Sequence, residues 1–111
     1  MKAIFVELPH FEANRSAFLI DDEYRILQNA LLFFPTCGDV IVHSGGLRKI
    51  RFADSKRGKG KRGGARVIYY WWVEKAQFLL FTVYGKGEMD DLTTEQKKML
   101  RLLLEQRKAG H

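Results

Sequence analysis

The residues of this chain best suited to chemistry are cationic, and they are concentrated. Of the 19 lysines and arginines, nine (Arg48, Lys49, Arg51, Lys56, Arg57, Lys59, Lys61, Arg62 and Arg66) fall within residues 48–66, against a single acid, Asp54. That segment carries +8, while the whole 111-residue chain carries +6, so everything outside it sums to −2. A mildly acidic scaffold therefore holds one intensely basic stretch, and a local basic stretch marks where an anionic partner is met. Lys49 and Arg51 are two apart, which puts them on one face of a strand, with Ile50 and Phe52 on the other. Arg66 opens the next apolar run, and Lys86 follows a later one, flanked by Gly85 and Gly87 and close to Tyr84 and Glu88. Cations converging from several strands stabilise the extra negative charge of a pentacovalent phosphate. Crowding also makes a lysine easier to deprotonate, which suits it to act as a base.

Other chemistries find less support. The histidines are His10, His43 and His111, widely separated and without metal-ligand spacing, and Cys37 is the one cysteine. A disulfide framework or a cysteine zinc site within one chain is excluded. The run Gly58-Lys59-Gly60-Lys61 lacks the glycine, four-residue, Gly-Lys-Ser/Thr spacing of a phosphate-binding loop. No G-x-G-x-x-G follows a strand, so a dinucleotide fold is not indicated. No metal or cofactor is expected. Any one lysine or arginine on a sheet face is most often only a solvated surface residue; it is the clustering of nine that sets this segment apart.

The elements that must position these cations can be sketched from periodicity. Residues 3–6 read as a strand, and Pro9 suits the first turn of a helix that continues through Phe11, Arg15, Phe18 and Leu19. Asp21 and Asp22 are N-cap candidates for a second helix, striped by Tyr24, Leu27, Leu31 and Phe34 and ended by Pro35. Residues 39–42 suggest a brief strand and 47–52 a period-two strand. Residues 53–65, with four glycines and five bases, read as a loop. Residues 67–73 and 78–84 are the strongest strand candidates, joined by a short hairpin at 74–77. Of the aromatics Tyr69, Tyr70, Trp71 and Trp72, alternation sends most into a core. Thr93 and Gln96 fit a capping box ahead of a helix striped by Leu92, Met99, Leu100, Leu103 and Leu104. The sum is an α+β domain over residues 1–111: an antiparallel sheet of about four strands, two N-terminal helices and a C-terminal helix. The longest uncharged apolar runs are seven residues, against the roughly 20 that a spanning helix needs. The N-terminus lacks the long apolar stretch of a signal peptide. The expectation is a cytoplasmic protein without a membrane partner.

Three blocks together resemble a known family. Gly45-Gly46-Leu47-Arg48-Lys49-Ile50-Arg51, then Gly58-Lys59-Gly60-Lys61-Arg62-Gly63-Gly64-Ala65-Arg66-Val67-Ile68-Tyr69-Tyr70, then Tyr84-Gly85-Lys86-Gly87-Glu88 are similar to the RelE superfamily of toxins, in particular the HigB-type branch. The likeness runs along nearly the whole chain. It implies a type II toxin of a toxin–antitoxin system that enters the ribosomal A site and cuts mRNA. The cut would be made without a metal, by attack of a nucleotide 2′-OH on the adjacent phosphate. It implies catalytic roles for Lys49, Arg51, Arg66 and Lys86, and RNA contacts from Arg48, Lys56, Arg57, Lys59, Lys61, Arg62 and Tyr84. The implied partners are the ribosome with its rRNA, mRNA, and a HigA-type antitoxin carrying a helix-turn-helix. Where some relatives carry a further arginine, a late tyrosine or a histidine, this chain has Gly87, Leu92-Thr93-Thr94 and Gly85, which leaves three alternatives: Lys49 as the general base, Lys86 as the general base, or a patch that acts mainly by positioning and charge. The same fold also hosts the ParE toxins, which poison DNA gyrase, so a gyrase poison and a non-catalytic RNA-binding module are the alternative functions.

Overall fold

The computed structural model describes residues 1–52, 64–85 and 92–110. In chain order these form β1 (Ile4–Glu7), α1 (Pro9–Phe18), α2 (Asp21–Phe33), β2 (Asp39–Val40), β3 (Arg48–Phe52), β4 (Ala65–Trp72), β5 (Gln77–Gly85) and α3 (Thr94–Ala109). The strands make one sheet in the order β1-β5-β4-β3-β2.

The α+β class is as expected; the sheet is larger and mixed. It has five strands, and β1 runs parallel to β5, pairing Ile4 with Gln77 through Glu7 with Leu80. The antiparallel expectation rests on short turns between successive strands, which join β4 to β5; β3 and β4 also pair antiparallel although twelve residues, 53–64, separate them. That expectation does not reach β1, which is separated from β2 by two helices. The helices carry the chain across the sheet, and a strand so displaced is free to pair at the far edge in either sense.

Two apolar layers flank the sheet. On one face, Phe11 and Phe18 of α1 and Tyr24, Leu27 and Leu31 of α2 pack on Val67, Tyr69, Phe78, Leu80 and Val83. On the other, Leu92 and Leu104 pack on Ile68, Trp72, Leu79, Phe81 and Tyr84. The four consecutive aromatics divide by alternation, Tyr69 and Trp71 on the side of α1 and α2 and Tyr70 and Trp72 on the other; Tyr69 and Trp72 are buried and Tyr70 and Trp71 half-buried. Trp71 and Phe5 both stack on Phe78, with centroids 4.4 and 5.0 Å away.

Helix α2 begins one residue earlier than its acids suggest. Ile20 is the N-cap, and its backbone N–H donates to the Glu23 carboxylate at 3.0 Å. Asp21 and Asp22 sit in the first turn, where negative charge is favoured by the helix dipole. Asp21 also accepts from Arg15 at 2.7 Å. The capping box of α3 forms as read: the Thr93 hydroxyl accepts from the Gln96 N–H at 3.1 Å, and the Gln96 side chain accepts from the Thr93 N–H at 2.8 Å. Its apolar stripe is only half used. Leu92 and Leu104 are buried and Leu100 packs beside them, while Met99 and Leu103 are exposed. No described helix is long and apolar enough to cross a membrane.

Candidate functional site

Strand register decides which cations meet. Directly opposed residues in an antiparallel pair share a face, with Cβ atoms about 5 Å apart. Arg51 pairs with Arg66, and Arg66 with Tyr84, so these three side chains form one row across β3, β4 and β5. A second row on the same face is Asp39, Lys49, Ile68 and Thr82. The basic face is therefore the face that α3 covers.

Tyr84 reaches that face through an irregularity. Ile68 pairs with Thr82 but Tyr69 with Leu80, leaving Phe81 without an opposite residue. Such a bulge advances the pleat by one residue. Strict alternation from Phe78 and Leu80 would turn Tyr84 toward α1 and α2; instead it packs with Leu79 and Phe81 on the other side.

Lys49 and Arg51 open onto a cleft of about 240 Å³, also lined by Asp39, Val40, Ile41, Val42 and Lys97. Arg66 and Tyr84 lie deeper, 3% and 1% exposed. The Arg66 guanidinium donates to the Gly64 carbonyl at 2.8 Å. Two arginines directly opposite on neighbouring strands repel, which costs stability unless something anionic offsets them. The pairing of Arg51 with Arg66 brings two guanidinium groups into one row of this face. The cleft has cations from β3 and α3 and a carboxylate from β2.

Arg48 is placed apart. It pairs with Tyr69 on the opposite face and donates to the carbonyls of Thr36 at 3.1 Å and Gly38 at 2.7 Å. It clamps the turn between α2 and β2. Tyr69 clamps the same turn, accepting from the Gly38 N–H and donating to the Pro35 carbonyl, both at 2.9 Å. Burial pushes the Tyr69 phenol well above its ordinary pKa of 10.0. Gly38 is required here by proximity, since a Cβ would lie 2.8 Å from the Tyr69 ring. The next turn is closed by Ser44, whose hydroxyl donates to the Ile41 carbonyl at 2.6 Å and accepts from the Leu47 N–H at 3.0 Å. Gly45 and Gly46 adopt φ of 82° and 108° in that turn, a region suited to glycine. These two turns hold β2, and with it Asp39, against β3.

Lys56, Arg57, Lys59, Lys61, Arg62 and Lys86 lie outside the described residues. Two cleft residues were not singled out from the sequence. Asp39 had no signal beyond membership of a short strand. Lys97 read as one more lysine on an amphipathic helix, although it sits three and seven residues before Leu100 and Leu104, on the stripe that faces the sheet.

A second groove, about 410 Å³, runs between β5 and α3 and is lined mostly by apolar side chains, including Phe81, Leu92, Met99 and Leu103. At its rim the His10 ring nitrogen Nδ1 shares a hydrogen bond with the Thr82 hydroxyl at 2.5 Å. No group of three or more histidine, cysteine or acidic residues arranged for a metal occurs among the described residues. Compared with models of known protein families, the chain matches none.

Proposed function

We propose that the cleft over β3 binds an RNA backbone phosphate and that the protein is an endoribonuclease of the RelE/HigB type, cutting mRNA in the ribosomal A site. The observation that carries this reading is the shared face of Lys49, Arg51, Arg66 and Tyr84, with Lys49 and Arg51 opening to solvent above the other two. In this reading the 2′-oxygen of one nucleotide attacks the adjacent phosphorus and the 5′-oxygen of the next nucleotide departs. The products are a 2′,3′-cyclic phosphate and a 5′-OH. The proton leaves the 2′-OH for a base, and Lys49 is the lysine that the cleft itself supplies for it; Lys86 is the alternative. The departing 5′-oxygen takes up a proton from water. Arg51 binds the non-bridging oxygens directly. Arg66, its buried cross-strand neighbour, adds positive potential from a water-poor position, where a charge acts more strongly than in bulk solvent. Phosphate contacts of this kind give salt-sensitive affinity with little sequence preference.

The toxin reading adds a cytoplasmic site of action and neutralisation by an antitoxin of the HigA type. The test is induction of the protein without its antitoxin, followed by primer extension on cellular mRNA. The expected result is growth arrest with in-frame cleavage that Arg51→Ala removes. Arrest with intact mRNA and inhibited gyrase would establish the ParE-type alternative instead. Salt-sensitive RNA binding with harmless overexpression would establish the binding module.

A further inference from the structure

We propose that helix α3 carries a self-association surface, through which two copies of this chain pair with their α3 helices antiparallel, each helix lying in the groove between β5 and α3 of the other. The inference goes beyond the RNA reading and does not depend on it.

Helix α3 has two apolar sides. Leu100 and Leu104 pack against the sheet. Met99, Leu102 and Leu103 keep 60, 50 and 44% of their surface exposed. Met99 and Leu103 line the groove of about 410 Å³, together with Phe81 and Leu92, and Leu102, three residues from Met99, continues the strip outward. A surface helix that only covers a sheet is polar away from it. A strip of large apolar side chains rimmed by polar ones marks an interaction surface. Lys97 lines the cleft over β3 instead, so the groove and that cleft flank α3 on opposite sides.

The polar residues along the strip indicate what fills it. Glu95, Met99, Leu102 and Gln106 follow one another at steps of four, three and four, the spacing of a seam along which two helices pack. An antiparallel copy centred between residues 99 and 102 sets Met99 against Leu102 of the second copy. It also sets Glu95 against Gln106 of the second copy, an amide that donates to a carboxylate. A parallel copy would set Glu95 against Glu95. Lys98 and Glu105 are both exposed and lie on the outer flank of the seam, where two-fold symmetry brings each near the oppositely charged residue of the other copy. Each of these polar groups thus meets a complement, twice over, as a contact between identical patches requires. The ion pair of Arg101 with Glu105 inside one helix is exposed, at 3.3 Å, and such a pair is too weak to withhold Glu105. Helix α3 has 16 residues and is about 24 Å long. A contact of that length and one helix wide is small beside a standard interface, so the dimer is reversible.

The experiment is analytical ultracentrifugation of the purified full chain over a series of concentrations. Self-association with a dissociation constant of about 10–100 μM is expected. Leu102→Glu puts an acid at the centre of the seam and should raise that constant at least about tenfold. Lys98→Glu and Glu105→Lys, each alone, bring like charges together and should each raise it about three- to tenfold. The double variant Lys98→Glu with Glu105→Lys should restore it, and Arg25→Glu, on α2 across the sheet, should match the unaltered protein. Circular dichroism confirms folding, and the charge variants, all on exposed side chains, carry the test if Leu102→Glu unfolds. A chain that stays monomeric up to about 1 mM overturns the inference and leaves the groove to a helix of another protein. A dimer that Leu102→Glu leaves intact, or one that each single charge reversal weakens and the double variant fails to restore, overturns it as well.

Discussion

Arg48 and Arg51 stand three residues apart on one short strand and face opposite ways, so exchanging each for alanine should separate folding from chemistry. Arg48→Ala removes two charge-assisted hydrogen bonds, to the carbonyls of Thr36 and Gly38. Bonds to a charged group contribute about 1.5–3 kcal/mol where buried. Here one acceptor is part-buried and the other exposed, which brings the expected loss to about 1–2 kcal/mol. For a domain of this size that is a fall in Tm of about 4–8 °C. RNA cleavage by the fraction that remains folded should stay within a fewfold of the unaltered protein. Arg51→Ala removes an exposed side chain, so stability should change by no more than about 0.5 kcal/mol. Cleavage should fall about 10²-fold, the scale for losing one donor to a developing oxyanion. Urea denaturation followed by circular dichroism gives the first quantity. Cleavage of mRNA in a reconstituted translation reaction gives the second. The reasoning is refuted if Arg48→Ala abolishes cleavage at native stability, or if Arg51→Ala destabilises the protein by 1–2 kcal/mol as Arg48→Ala is expected to.

Tyr69→Phe keeps the ring beside Phe78 but deletes the hydroxyl that joins Gly38 and Pro35. A buried N–H left unpaired costs about 1–3 kcal/mol, to be read from urea midpoints. Alkaline solution should destabilise the fold: burial, together with the Glu7 contact for Tyr24, raises the phenols of Tyr24 and Tyr69 above 10.0. The folded state therefore keeps protons that the unfolded state releases, and stability that is complete below about pH 10 declines above it, by up to about 1.4 kcal/mol per pH unit for each group. Tyr69→Phe should flatten that decline, which unfolding curves between about pH 9 and 11 would show. Thr93→Ala deletes the acceptor of the Gln96 N–H and should cost about 1 kcal/mol by the same unfolding measurement.

Much of the site was legible because strand geometry is local. Period-two alternation separates Lys49 and Arg51 from Ile50 and Phe52 without reference to the rest of the chain, and the same rule sends Arg48 to the face of Ile50 and Phe52. Capping chemistry is equally local, and Thr93 with Gln96 located the start of α3 correctly. The antiparallel pairing of β4 with β5 followed from their short connection. Other features depend on residues far apart in the chain. The parallel pairing of β1 with β5 depends on where two helices deliver the chain. The bulge at Phe81 depends on the register of β5 against β4, and it alone turns Tyr84 to the side of Arg66.

By itself, then, the sequence determined the α+β class, the boundaries of most elements to within a residue or two, and a concentrated basic segment whose alternate members share a face. These follow from dihedral preferences and side-chain periodicity, which act over a few residues. Only the tertiary structure decided that Arg51 lies against Arg66, that Arg66 and Tyr84 are buried while Lys49 and Arg51 meet the cleft, and that Asp39 and Lys97 join them. Those placements are set by how a helix and an edge strand pack onto the sheet. That packing is a balance of burial and charge over the whole molecule, and no local pattern encodes it.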